Sequence, residues 1–176
     1  MACSLTTGRK VPCKSAVGGI KTIYFTDYGT LGTPTIVAGE ITDFPQGTPD
    51  WFKFDVKGAS SLETAINSSR ENGTTFYEST LTMALTFQDK ATQEELKLIA
   101  HARPHVAIED YNGNYFVVGL EHGAEVTGGT ISTGAAMGDL SGYNLTIVAQ
   151  ETAPPYFVTD DVIIGETSGV QIDPTA

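Results

Sequence analysis

The sequence predicts a mainly β (α+β) chain: an antiparallel β-sandwich or half-barrel with one flanking α-helix, long loops and an extended N-terminal arm. Three observations carry this. Residues 76–88 alternate apolar and polar over a long run, with Leu81, Met83, Leu85 and Phe87 set against Thr80, Thr82, Ala84, Thr86 and Gln88. Residues 105–151 read as strand, Asn112-Gly113 turn, strand, glycine-rich excursion and strand. Between them only residues 90–103 carry a helix pattern, with Asp89 or Thr92 as cap, acids in the first turn, and Leu96, Ile99 and Ala100 as a narrow apolar stripe. Pro104 ends that helix by disfavouring the helical region at Arg103.

Taken in order, residues 1–19 are polar and glycine-bearing and read as an arm. Residues 20–159 form the sandwich domain and residues 160–176 a C-terminal extension. Ile20 to Thr26 is β-branched and aromatic, hence strand. Asp27 to Pro34 is turn material, and Thr35 to Phe44 reads as strand, broken or bulged at Gly39. In Trp51 to Val56 the phenylalanines fall on one side and Trp51, Lys53 and Asp55 on the other. The lone Trp on a polar side points to a subunit contact, where Trp is enriched, or to a local staple. Residues 57–75 read as a loop or crossing. The strand at 76–88, at roughly 3.3 Å per residue, is about 40 Å long and more than a compact sandwich needs. Tyr115 to Gly119 is continuously apolar, as in a strand covered on both faces. Tyr143, Leu145, Ile147 and Ala149 share one face of the last long strand. Tyr156 to Val158 and Val162 to Ile164 add short strands, and the rest of the extension reads as an extended terminus.

Net charge is −11, but Arg9, Lys10, Lys14 and Lys21 fall in the first 22 residues, which hold no acid. A basic arm on an acidic body predicts intermolecular contact through opposite potentials. The acidic body is a poor ligand for nucleic acid, which needs phosphate-neutralising cations, and suits a passage along which nucleic acid slides without sticking. No apolar run of about 18 residues predicts a membrane helix, and the first residues have no secretory apolar region. Cys3 and Cys13 favour free thiols over a disulfide and are too few for structural zinc.

Catalysis finds little support in the residues. His101, His105 and His122 do not share a face and default to solvated or capping roles. Glu121, His122 and Glu125 could do acid/base work, but no nucleophile accompanies them, and the paired carboxylates are adjacent and point apart. The six glycines of residues 120–142 form no phosphate-binding pattern. That 23-residue stretch is either a floppy surface loop or one folding against a neighbouring subunit. Its near-uncharged TGGTISTGAAM favours the second, with Thr127, Gly128, Gly129, Thr130, Ile131, Ala135 and Met137 as contacts.

The long Thr-rich strand, one short helix, NGNYFVVG and a Gly/Thr-rich loop ending in GDLSGYNLTIVAQE resemble the major tail tube proteins of tailed bacteriophages and their ring-forming relatives. The resemblance covers roughly residues 76–158. It implies a non-enzymatic virion protein, made in the host cytoplasm and placed in the tail, which self-assembles into stacked hexameric rings. Such rings join their sheets into an inner barrel, bind other tail proteins, let DNA pass without specific binding, need no cofactor and insert in no membrane. On that reading Thr80, Thr82, Thr86 and Gln88 face the lumen, while Arg9, Lys10, Lys14 and Trp51 join the loop residues in subunit contacts. The basic arm departs from the family by its length and its two cysteines. The alternatives are a neck or terminator ring, a capsid-decorating protein, or a carbohydrate-binding sandwich presenting Trp51, Tyr111 and Tyr115 as a platform.

Overall fold

The computed structural model describes residues 7–11, 13–45, 49–56, 58–159 and 163. Eleven strands and one helix run in the order β1 (Ile20–Thr26), β2 (Thr35–Val37), β3 (Glu40–Asp43), β4 (Phe52–Asp55), β5 (Ser61–Ser69), β6 (Thr74–Thr86), α1 (Lys90–His101), β7 (His105–Asp110), β8 (Tyr115–Val118), β9 (Glu125–Ser132), β10 (Gly142–Glu151) and β11 (Tyr156–Val158). They form a seven-stranded sheet, β2-β3-β11-β8-β7-β1-β4, and a four-stranded sheet, β5-β6-β10-β9. The described residues therefore form a two-sheet, mainly β fold with one helix, as the alternation predicts.

The main core lies between the sheets. Ile23, Phe25, Val106 and Ile108 from the large sheet meet Leu81, Met83, Tyr143 and Ile147 from the small one. Helix α1 closes the core with Leu96 and Ile99, while Ala100 faces solvent. Its cap is Asp89, whose carboxylate accepts from the amides of Ala91 and Thr92. A start at Lys90 leaves no acid in the first turn, because Glu94 and Glu95 fall one turn later, and the helix ends at His101, short of 103.

The large sheet is covered on its other face too. Tyr24, Ala107, Tyr115 and Val117 face away from the small sheet into a second cluster with Leu31, Ile41, Phe44, Trp51 and Ile163. Trp51 is fully buried there, which corrects its expected place in a subunit contact. Its strand alternates as predicted, but the side shared with Lys53 and Asp55 is roofed at the Trp51 end by Phe44, 6.3 Å away ring to ring.

Two further expectations are corrected, and the break read at Gly39 is sharpened. Residues 57–75 contain β5, nine residues paired throughout with β6. Thr35 to Phe44 is a hairpin, with Ala38 and Gly39 both at positive φ between β2 and β3. Residues 120–142 contain β9, paired with β10, so Thr127 to Ile131 belong to a strand and only residues 120–124 and 133–141 to loops. The strand expected at 162–164 and the extended terminus lie outside the described residues, apart from Ile163. Cys3 lies outside them as well, and Cys13 is a free, exposed thiol.

Candidate assembly surface

Odd-numbered residues of β6 and β10 point into the core, so the even-numbered ones form the outer face of the small sheet. Pairing sets Thr80 against Val148, Thr82 against Thr146 and Ala84 against Asn144. At one end Gln150 donates from Nε2 to Glu78 Oε2 at 2.7 Å. On β5, Glu63 opposes Thr80, and on β9, Glu125 opposes Val148. The four strands hold no Lys, Arg or His. Three of the four expected lumen residues, Thr80, Thr82 and Thr86, share this face. Gln88 lies beyond β6, where its Nε2 donates to the Ser132 carbonyl at 2.6 Å and ties the strand end to β9.

The sheet ends in two open edges, β5 and β9, each long and of similar length. Strand order alternates in direction throughout, so β5 and β9 run opposite ways. Thr127 is the extra residue of a bulge that separates the Thr146–Gly128 and Ile147–Val126 pairs. Gly129 sits hard against the backbone of β10: a Cβ there would fall 2.7 Å from the Asn144 carbonyl oxygen. Ile131 lies opposite Tyr143 yet is 62 % exposed.

The loop after β9 is held in shape by Asp139. Its Oδ2 accepts from the amides of Ala135 at 2.9 Å and Ala136 at 2.8 Å. Those amides, Ala136 first, hold its carboxyl below the usual aspartate value. The loop presents Met137 fully to solvent, with Leu140 half-exposed beside it. Of the proposed contacts, Thr127 to Ile131, Ala135 and Met137 therefore share the β9 end of the sheet. Arg9, Lys10 and Lys14 are exposed on the arm.

Elsewhere the residues regroup. Glu125 is on β9, and its place beside Glu121 and His122 is taken by Glu151, whose carboxylate accepts from both their amides. One ligand atom from each of these three residues lies within 4.8 Å of the others. Burial raises the Glu151 carboxyl against the pull of those amides. His105 is neither solvated nor a cap. Its ring is buried, Nε2 accepts from the Gly29 amide at 2.9 Å, and Nδ1 therefore donates to the Gly119 carbonyl at 2.6 Å. Burial holds its pKa below the usual value, with Arg103 adding to the effect and the Gly119 bond opposing it. Trp51 and Tyr115 are both buried, so with Tyr111 they make no exposed aromatic platform.

Sequence reasoning missed the β5 edge. Leu62, Thr64 and Ile66 alternate there with Glu63, Ala65 and Asn67, and an Asn72-Gly73 pair precedes β6. That is the same turn dipeptide which located the β7–β8 hairpin, so the signal was available. No family model, no curated protein and no solved structure matches this chain.

Proposed function

We propose that this chain is the structural subunit of a tail tube, closing into rings by joining β9 of one copy to β5 of the next. The observation that carries the reading is the small sheet: two open edges of matched length and opposite direction, and an outer face with no cation. Copies related by rotation about one axis present β9 beside β5 in antiparallel register, so the hydrogen-bond pattern continues unbroken from subunit to subunit. Six copies, the number the resemblance implies, would close a barrel of about 24 strands, wider than the 16–18-stranded barrels that already leave an aqueous channel. The face turned inward would be threonine, asparagine, alanine and glutamate, which wets the wall and repels phosphate. The basic arm would dock on the acidic body of the next ring, an attraction that salt weakens.

Negative-stain microscopy of the concentrated full chain tests this. Tubes that shorten into rings as salt rises are the expected result. Single rings at every salt concentration would point to a neck or terminator ring. Monomers under all assembly conditions would overturn the reading.

A further inference from the structure

The arm's last residues are not free. The β1–β7 ladder ends with Ile20 opposite Asp110, and the Tyr111 amide continues it with a 3.3 Å bond to the Gly19 carbonyl. Beyond that point the backbone of the β7–β8 turn bends away. The Asn112 side chain takes over: Oδ1 accepts from the Val17 amide at 2.9 Å, and Nδ2 donates to the Val17 carbonyl at 2.8 Å. A carboxamide presents one donor and one acceptor, so it replaces a strand residue as partner for Val17. The turn that carries Asn112 is itself preorganised. Asp110 accepts from the amides of Asn112 and Asn114 and from both their side chains, at 2.8–3.2 Å. Burial alone would raise the Asp110 carboxyl, but the bonds from Asn114 and Asn112 together hold it below its usual value. Gly19 makes the approach possible: it has φ +113°, and a Cβ there would press on the Tyr111 ring at 3.0 Å.

We propose that Asn112 is a clasp that aims the N-terminal arm, a positioning residue for whatever Arg9, Lys10 and Lys14 bind. Shortening the free tether from Ile20 to Val17 would raise the arm's local concentration by less than about threefold, even for Lys14, because that quantity falls only as roughly the −3/2 power of length. The clasp therefore matters through direction: it fixes where the arm leaves the body while leaving Lys14 three residues from the anchor. That this direction serves ring stacking rests on the tube reading; the clasp itself does not.

Amide hydrogen exchange on the labelled, unassembled full chain tests the clasp. The Val17 amide is expected to be protected in the wild type. In Asn112→Ala, which removes the acceptor, it should exchange about five- to tenfold faster, the size of one lost hydrogen bond, while Asn112→Asp keeps an acceptor for it and should change less. The β7–β8 amides should be unchanged, which shows that the body is still folded. Wild-type exchange at the free-peptide rate, or no change in Asn112→Ala, overturns the clasp. Stacking is read separately by microscopy. Loss of long tubes in Asn112→Ala, with rings retained, supports the aiming role, and wild-type tube lengths overturn it. If the wild type forms no tubes, the tube reading falls and the exchange result still decides the clasp.

Discussion

Ile131→Asp separates the proposed assembly role of β9 from its role in the fold. In the free chain Ile131 is 62 % exposed, so little over a third of its side chain leaves water. Fully burying an isoleucine stabilises by about 1.5–3 kcal/mol, so the burial lost here is about 0.5–1 kcal/mol. Replacing a strong strand former with a weak one adds up to about 1 kcal/mol. The sum, about 0.5–2 kcal/mol, lowers the melting midpoint of a chain this size by about 1–8 °C. At a β9–β5 junction the same position would be enclosed by the next copy, and an unpaired carboxylate buried there costs several kcal/mol. At about 4 kcal/mol the concentration needed for each contact rises roughly a thousandfold. The assays are thermal unfolding by circular dichroism and tube formation by microscopy and pelleting, with Ile131→Val as the control that still assembles. Tubes from Ile131→Asp at wild-type concentration would show that the β9 end is not buried on assembly. A melting midpoint lowered by much more than about 8 °C would show that Ile131 holds the fold instead.

Other consequences are independent of the ring. Trp51 is the chain's one tryptophan and is fully buried, so its emission should not move when subunits associate; a shift would return it to an interface. Its indole N–H finds no acceptor among the described residues, so Trp51→Phe should cost less than about 1.5 kcal/mol in urea unfolding, against about 3–5 kcal/mol for Trp51→Ala. His105 is buried in its neutral form, with a folded pKa below the ordinary 6.5. The unfolded chain therefore binds the extra proton first: the contribution of His105 is complete above about pH 6.5 and is lost as pH falls from there through the folded pKa. The slope should not exceed about 1.4 kcal/mol per pH unit, and unfolding curves between pH 7.5 and 5.5 should lose it in His105→Asn. Asp89→Ala should lower the melting midpoint by about 2–4 °C through loss of the helix cap, while Asp89→Asn retains most of it. The Thr92 and Ala91 amides lower the Asp89 carboxyl from 3.8, so in acid titration the capping contribution holds above that value and is lost below it.

Strands whose two faces differ were legible in the sequence. β6 and β10 each bury one side and keep a polar outer side, so period-two alternation located them, while β1, buried on both sides, was located by its β-branched and aromatic content. The two edge strands of the small sheet were not legible, for opposite reasons. β5 does alternate, but its Ser, Asn and Glu content imitates a loop, and only the nine-residue pairing with β6 holds it extended. β9 carries Gly128-Gly129, which disfavours a strand locally; close approach to β10 leaves no room for a side chain at Gly129. Trp51 and His105 were misjudged through a single long-range fact. Nothing near either residue in the sequence announces that the second face of the large sheet is roofed by Leu31, Phe44 and Ile163, or that Gly29 and Gly119 converge on the imidazole. Asn112 was read only as a turn former, because its partner Val17 lies far away in the chain.

The two sheets treat their edges differently, and the difference bears on assembly. The large sheet ends in strands of three and four residues, β2 and β4, too short to template much pairing. The small sheet ends in strands of nine and eight residues with no proline and no lysine, and the bulge at Thr127 is the one device that interrupts them. Open edges of that length invite association in any register unless a specific partner takes them. Pairing β9 to β5, on the proposed reading, leaves no edge once the ring closes. An isolated monomer of this chain should therefore be the state most prone to aggregate, and a closed ring the state that removes the hazard.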